Sequence, residues 1–486
     1  MVKYVKMKER LYSLDLLRGL TAHGRVVALV AVLALALTAG AKTKLYVFLD
    51  TEDYTSERAN DAIVTMANVL AEEGISAHFD IVGYLAERLI RSDRRDVLEA
   101  LKPHSVGLQT YRHSYHPNLT ELGDLADYDE AYRRIMQEER MAKGMVEAFT
   151  GRNGVDSSVQ PGSGSSYVGM YVYRDLGITV SGGIMALYSD DPRGMYWYCG
   201  QLQVPYYQKF SLEHFMKERT ADEEDEKPCL DELAKRDVAI LYMHPNKLIF
   251  PVYWDALNYD GGNLVKWGEW KVGAERPRAE QEKYLADLRA FLRRVKADGR
   301  FEFADIRDLI RAVKPRVVIR RTDLPAIRKS LERRFGEVTE PASWCVAETF
   351  LAAVHFLRGS DEPYVPGKSH GFLSAPQGVK APVRVTRAGL VAAAKAMDTS
   401  RFLPTRIEVD GAAIGPADFL FAALAVLTDG ADAVTVTPRD QLGDIAAVLP
   451  DLVNFRHPGT WIYAKDFKDE YLSDRLRWQF WTFRHE

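Results

Sequence analysis

Five apolar residues in a row, Leu45-Tyr46-Val47-Phe48-Leu49, run without a turn into Asp50-Thr51-Glu52-Asp53. An unbroken apolar run of this length fits a strand buried on both faces, as in a parallel sheet, and parallel strands need helical crossovers to join them. The acidic residues that follow therefore stand at the carboxyl end of a strand, where α/β folds gather their reactive groups. The rhythm then repeats. A helical pattern over about 56–73 stops at Gly74, a residue suited to closing a helix, and 76–83 reads as a second strand. Helices are expected near 91–101, 128–149 and 278–297, and strands near 105–109, Ser158, Thr179 and 238–243. A strand at Phe301-Glu302-Phe303 and a helix to Val313 close the series. Repeated βα units over this span predict an α/β fold, a barrel of parallel strands with its helices outside. The acid-rich stretch 220–227 reads as a solvated surface loop.

Past Lys314-Pro315 the pattern changes to Ala/Leu-rich helices, which predicts a barrel over 43–313 and a second, mainly helical domain over 314–486. Within that domain Thr349-Phe350-Leu351-Ala352-Ala353 is loosely echoed by Asp418-Phe419-Leu420-Phe421-Ala422. An aromatic C-terminus (Trp461, Tyr463, Phe467, Trp478, Phe480, Trp481, Phe483) suits either sugar stacking or the packing of a terminal helix. At the other end, a leader with Lys3, Lys6, Lys8, Arg10, Arg18 and Arg25 precedes about a dozen apolar residues and Thr38-Ala39-Gly40-Ala41. That is the grammar of a secretory signal peptide, and the apolar run falls short of the roughly 20 residues of a spanning helix. Residues 1–41 are expected to be a signal peptide or N-terminal anchor, with the remainder secreted or held on the outer side of the membrane.

Composition enters mainly by exclusion. With 47% hydrophobic and 27% charged residues the chain is globular rather than disordered or polytopic. Lys+Arg 64 against Asp+Glu 68, a formal charge of −4, offers no basic field for nucleic acid. The three cysteines, Cys199, Cys229 and Cys345, neither build a disulfide framework nor show Cys-x-x-Cys spacing.

Candidate chemistry sits on three strand ends: Asp50-Thr51-Glu52-Asp53, then Gly107-Leu108-Gln109-Thr110-Tyr111-Arg112-His113-Ser114-Tyr115-His116-Pro117, then Ile240-Leu241-Tyr242-Met243-His244-Pro245. Together with Ala77-His78-Phe79-Asp80-Ile81-Val82-Gly83, these segments resemble, in order and spacing, the polysaccharide deacetylase family (carbohydrate esterase family four, NodB-homology). The resemblance covers residues 43 to about 313. It implies the distorted barrel of the polysaccharide-deacetylase and glycoside hydrolase-deacetylase type, and hydrolysis of acetamido C–N bonds in a polysaccharide or other N-acetylated glycan outside the cell.

Carried over residue by residue, the resemblance implies that Glu52 and His113 hold a divalent metal, with zinc the first choice, leaving a position open for water. It implies Asp50 as the base that deprotonates water and His244 as the acid that protonates the leaving amine. Two positions depart from the family. Gln109 stands where the first ligand histidine is expected, and an amide is a poorer zinc ligand than an imidazole. Gln160, in Gln160-Pro161-Gly162, replaces the arginine that steadies the base, and without that cation the Asp50 pKa tends upward. His116 or Asp53 is the candidate third ligand, and Gln109, Gln160 and Tyr111 are candidates to meet substrate. Residues 403–427 resemble, faintly, repeats that attach proteins to pseudomurein, which implies cell-wall attachment through the C-terminal domain. Two alternatives stand beside this reading: a catalytically inactive barrel that binds carbohydrate or cell wall, and metal-independent C–N hydrolysis of another substrate, as in the related allantoinases.

Overall fold

A computed structural model describes residues 42–182, 194–204, 206–212, 223–260, 265–457 and 462–486. The leader reading and Trp461 fall outside the described residues. Among those described, no helix is long and apolar enough to cross a membrane.

The apolar run becomes β1 (Thr43–Thr51), which pairs in parallel with β2 (His78–Ile81) on one side and with β9 (Val238–Met243) on the other. The sheet continues in parallel from β2 through β3 (Ser105–Leu108), β4 (Ser157–Val159) and β5 (Val180–Gly182) to β7 (Gln201–Val204). Beyond β9 lies β8 (Tyr206–Ser211), also parallel, and β10 (Phe301–Phe303) pairs with the start of β1. The series is an open, distorted β/α barrel. β6 (Tyr196–Tyr198) and β15 (Arg484–His485) add an antiparallel edge, so the sheet is mixed rather than wholly parallel.

The strand alternation of β1 sorts its side chains between two hydrophobic clusters. Leu45, Val47 and Leu49 pack against the outer helices, while Tyr46 and Phe48 join Ile240, Leu202 and Trp197 on the opposite face. Asp50 continues that second series. Beside it this face turns polar. His78 and Asp80 of β2 lie in register with Phe48 and Asp50. The His78 Nε2 is 3.1 Å from Asp80 and 2.5 Å from the Ser157 hydroxyl, its Nδ1 is 2.7 Å from the Ser105 hydroxyl, and Ser157 donates to Asp80 at 2.7 Å. Gly107 is required here for space. A Cβ on it would stand 1.9 Å from Asp80 Oδ1 and 2.3 Å from Ser157 Oγ. Gly107→Ala is therefore expected to cost about 3 kcal/mol or more in chemical denaturation, because the neighbours are buried and cannot swing away; an unchanged midpoint would contradict this packing.

The first crossover helix, Glu57–Glu72, is capped by the Ser56 side chain, which accepts from the Arg58 N–H at 3.2 Å. Two elements differ from expectation. A helix at Gly83–Arg91 follows β2 directly, and the acid-rich stretch expected to be loop enters a helix at Glu223–Leu233. Glu, Asp and Lys are compatible with helix wherever one face finds apolar cover, so charge density alone does not predict loop.

Residues 43–486 form one compact unit. Past residue 313 a second hydrophobic cluster gathers around Phe350, Phe419 and Trp481. Its two echoed segments lie on the helices Val346–Leu357 and Pro416–Asp429, with Phe350 and Phe419 rings 5.5 Å apart. Each helix carries a buried acid at its third position that accepts from the backbone N–H before the helix, Glu348 from Cys345 and Asp418 from Gly415. The last stretch, from Ile445 to Phe483, returns to the barrel core. Asp124 accepts from the N–H groups of Tyr471 and Leu472 at 2.7 and 2.8 Å, and β15 completes the sheet edge. Phe480, Trp481 and Phe483 are buried in these cores and are not sugar platforms.

Candidate active site

Asp50 is the penultimate residue of β1 and Glu52 is the first residue past it, so both carboxylates meet at the mouth of the barrel. Glu52 is buried and fully engaged. One oxygen accepts from the Trp254 indole N–H at 3.0 Å; the other meets His113 Nε2 at 2.9 Å and accepts from the Gln109 amide at 3.1 Å. His244, just past β9, places its Nε2 3.7 Å from an Asp50 oxygen and 3.8 Å from the first Glu52 oxygen. Asp50, Glu52, His113 and His244 thus converge, three from at or just past strand ends and His113 from the loop after β3.

The loop after β3 is folded tightly to aim His113. Thr110 and His113 both have positive φ, 55° and 50°, an uncommon backbone state for residues with side chains. The Thr110 hydroxyl accepts from the His113 N–H at 3.0 Å. Behind the ring, His113 Nδ1 lies 2.5 Å from the Ser114 hydroxyl, which donates to Asp255 at 2.9 Å. This relay fixes the ring's orientation and leaves Nε2 for Glu52, the usual arrangement behind a functional histidine.

The acids are driven apart in strength. Burial pushes the Asp50 carboxyl up to about 7, helped by Glu52 and Asp80 and opposed by His244. Burial would also raise Glu52, but His113 and His244, with the hydrogen bonds from His113 and Trp254, hold it down at about 2. Burial alone would lower His113, yet the adjacent Glu52 carboxylate raises it. Two neighbouring carboxylates with opposed shifts mark one to stay ionised and one to exchange a proton near neutrality.

The other candidates separate. His116 turns to Glu121, its Nδ1 2.9 Å from the carboxylate, and joins neither metal-capable group among the described residues. Asp53 bonds Thr55 through its backbone N–H and its hydroxyl at 2.9 and 2.6 Å, with Asn246 3.4 Å away, and burial raises it to about 6. It too is outside those groups. Gln160 bonds the backbone N–H and carbonyl of Ser166 at 2.8 and 3.0 Å, bracing its own turn. Gln109 keeps an open function, because its Oε1 is buried beside Glu52 without a hydrogen-bond partner; the Nε2 of His116 is also unpartnered, but that ring is turned to Glu121. Tyr111 lines an open cleft beside the site, with its hydroxyl 3.3 Å from Glu87. Asn118, in the acceptor-like Asn118-Leu119-Thr120, is buried and donates to the Ile462 carbonyl, so it is no glycosylation site in this fold.

Two sets of side chains are spaced to hold one cation, Asp50 with Glu52 and His244, and Glu52 with His113 and Asp255. Glu52 belongs to both. The donor chemistry, carboxylates with imidazole, fits a divalent ion of the zinc type. Rotating the Gln109 amide by half a turn would also bring its unpartnered oxygen toward Glu52, adding a weak neutral ligand on the His113 side. Trp254, Ser114 and Asp255 had no sequence signal beyond proximity to His113 and His244.

No protein-family model matches this chain, and no curated protein does. Solved structures are similar over part of the chain. One from Mycobacterium smegmatis, classed as a polysaccharide deacetylase, is 14% identical over 58% of this chain and 95% of its own, at a TM-score of 0.37. A family 4 carbohydrate esterase from Streptomyces lividans is 12% identical over 55% and 93%, at 0.29. A carbohydrate esterase family 4 pseudoenzyme from Bacillus anthracis is 18% identical over 42% and 55%, at 0.25.

Proposed function

We propose that the chain hydrolyses acetamido C–N bonds of an N-acetylated glycan. The observation that carries this reading is the split pair at the barrel mouth: a carboxyl near neutrality at Asp50 beside an ionised Glu52, with His244 within reach of both. In this reading Glu52 and His113 would hold a divalent ion, with Gln109 as a weak third partner. Such an ion supplies polarisation of the acetamido carbonyl and acidification of a bound water. Asp50 accepts the proton as water oxygen bonds the carbonyl carbon. His244 then donates a proton to the nitrogen as the C–N bond breaks, releasing acetate and a free amine.

The test is acetate release from N-acetylglucosamine oligomers together with zinc content. His113→Ala is expected to lose zinc, while His244→Ala keeps zinc and loses turnover. Zinc lost on His244→Ala instead would move the ion to the Asp50 side, and no acetate from any acetylated oligomer would end the hydrolase reading. A pH dependence follows as well. Protonated Asp50 cannot accept a proton, so kcat/KM is expected to fall about tenfold per pH unit below the Asp50 pKa, which burial raises above an ordinary aspartate's and a bound cation would draw back down.

One observation favours a second reading. Glu52 already accepts from Trp254 and Gln109 and pairs with His113, a self-satisfied cluster that suits a barrel retained for glycan binding, or one hydrolysing C–N bonds without metal. We further propose export through the 1–41 leader and attachment to a cell wall through residues 314–486. A mature N-terminus at Lys42 by mass spectrometry supports the first; retention on isolated walls tests the second.

A further inference from the structure

An aromatic chain runs outward from the candidate site. Trp254, which donates to Glu52, lies 4.5 Å from Tyr54 with the rings inclined at 58°; Tyr54 lies 5.2 Å from Tyr84; and Tyr84 lies 4.2 Å from Trp267. Trp267 meets Tyr115 edge-on at 4.9 Å and 90°. The inner members, Tyr54 and Trp254, are core residues, but the outer ones are not. Tyr84, Tyr111 and Tyr115 are half-buried, Trp267 is 37% exposed, and all four line an open cleft of about 420 Å³ rimmed by Glu87 and Arg112. The cleft borders the His113 loop itself, since Tyr111 and Tyr115 flank that histidine in sequence.

Tyr84, Tyr111 and Tyr115 each pack in part against the barrel core, and with Trp267 they still leave ring surface facing the cleft. A cationic ligand does not suit this surface. Arg112 already stands 5.2 Å from the Tyr115 ring centre, Arg88 lies 5.9 Å from that of the neighbouring Trp270, and Arg91 also lines the cleft. Aromatic faces with a carboxylate and guanidinium groups at the rim match a pyranose ring, which offers an apolar C–H face and a girdle of hydroxyls. We propose that Tyr84, Tyr115 and Trp267 form a stacking subsite for a sugar residue neighbouring the acetamido unit under attack. The inference rests on the glycan reading of the same site and says where the polymer lies. It also gives that reading a source of binding energy: the acetamido group is a small handle, and a polymer-directed site draws its grip from remote rings.

Calorimetric titration of the full chain with N-acetylglucosamine tetramer tests it. Trp267→Ala is expected to weaken tetramer binding about tenfold, leaving the monomer's weak binding unchanged, and Trp267→Phe to restore most of the loss by keeping a ring. In turnover Trp267→Ala should lower kcat/KM for the tetramer by a matching factor, which Trp267→Phe largely restores. Equal binding by wild type and Trp267→Ala overturns the subsite. So does a wild type that releases acetate from small acetamides but binds no tetramer, an outcome that leaves the hydrolase reading standing. Trp267-dependent binding without acetate release establishes the subsite and removes the hydrolase reading instead.

Discussion

Asp50→Asn and Glu52→Ala, separated by a single residue, are expected to stop acetate release alike and to move stability in opposite directions. Loss of a positioned base or of the carboxylate that holds the ion each removes about a thousandfold in kcat/KM. Their contributions to folding have opposite sign. The Asp50 carboxyl sits at about 7 in the fold against an ordinary 3.8, so the fold disfavours its charge, and the cost grows as pH rises between those values. Glu52 sits at about 2 against an ordinary 4.5, so its contribution is fully present above the ordinary value and is lost only as pH falls toward 2. Glu52→Ala also strands the Trp254 and Gln109 donors and His113 in a buried setting. In denaturant at pH 7.5, Glu52→Ala should lose about 3 kcal/mol, while Asp50→Asn should lose none and gain up to about as much. Parallel losses in both variants would show that the two acids are not differently solvated.

This contrast also marks what could be read from the residues themselves. Apolar runs placed the segments of Asp50, Glu52, His113 and His244 after strands that open at one mouth, and the resemblance of those segments to a known family singled out the four residues within them. The upward pull on Asp50 was legible from the loss of a cation at Gln160, although in the fold burial is its main cause and Gln160 braces its own turn. Trp254 and Asp255 were not legible. They reach Glu52 and Ser114 from a segment past β9 that shows no periodicity, and only the closing of the barrel brings them there. The polar layer of His78, Asp80 and Ser157 was hidden for a related reason. In strands this short, one inward polar residue looks like an ordinary exposed one until its partner strand is known. The return of the C-terminus was equally invisible, because a two-residue strand such as β15 carries no pattern, and its pairing with Trp197 and Tyr196 spans almost three hundred residues.

Gln109→His should then restore what the site lacks. Gln109 is 1% exposed, spends its amide N–H on Glu52, and leaves its carbonyl oxygen without a partner. Its side chain therefore ties up a Glu52 oxygen and offers a cation little in return. An imidazole of similar bulk, four residues before His113 and at the mouth of the same loop, replaces a weak neutral oxygen with a nitrogen of the kind zinc prefers. Zinc affinity by competitive titration is expected to tighten by about 10- to 100-fold, with acetate release rising in step wherever wild-type turnover is limited by metal loading. The gain should vanish in a Gln109→His, His113→Ala double variant, because the two imidazoles act on one ion. Unchanged affinity in Gln109→His would place the ion instead on the Asp50–Glu52–His244 face, where residue 109 has no part, and would hand the proton-transfer roles of Asp50 and His244 to other groups.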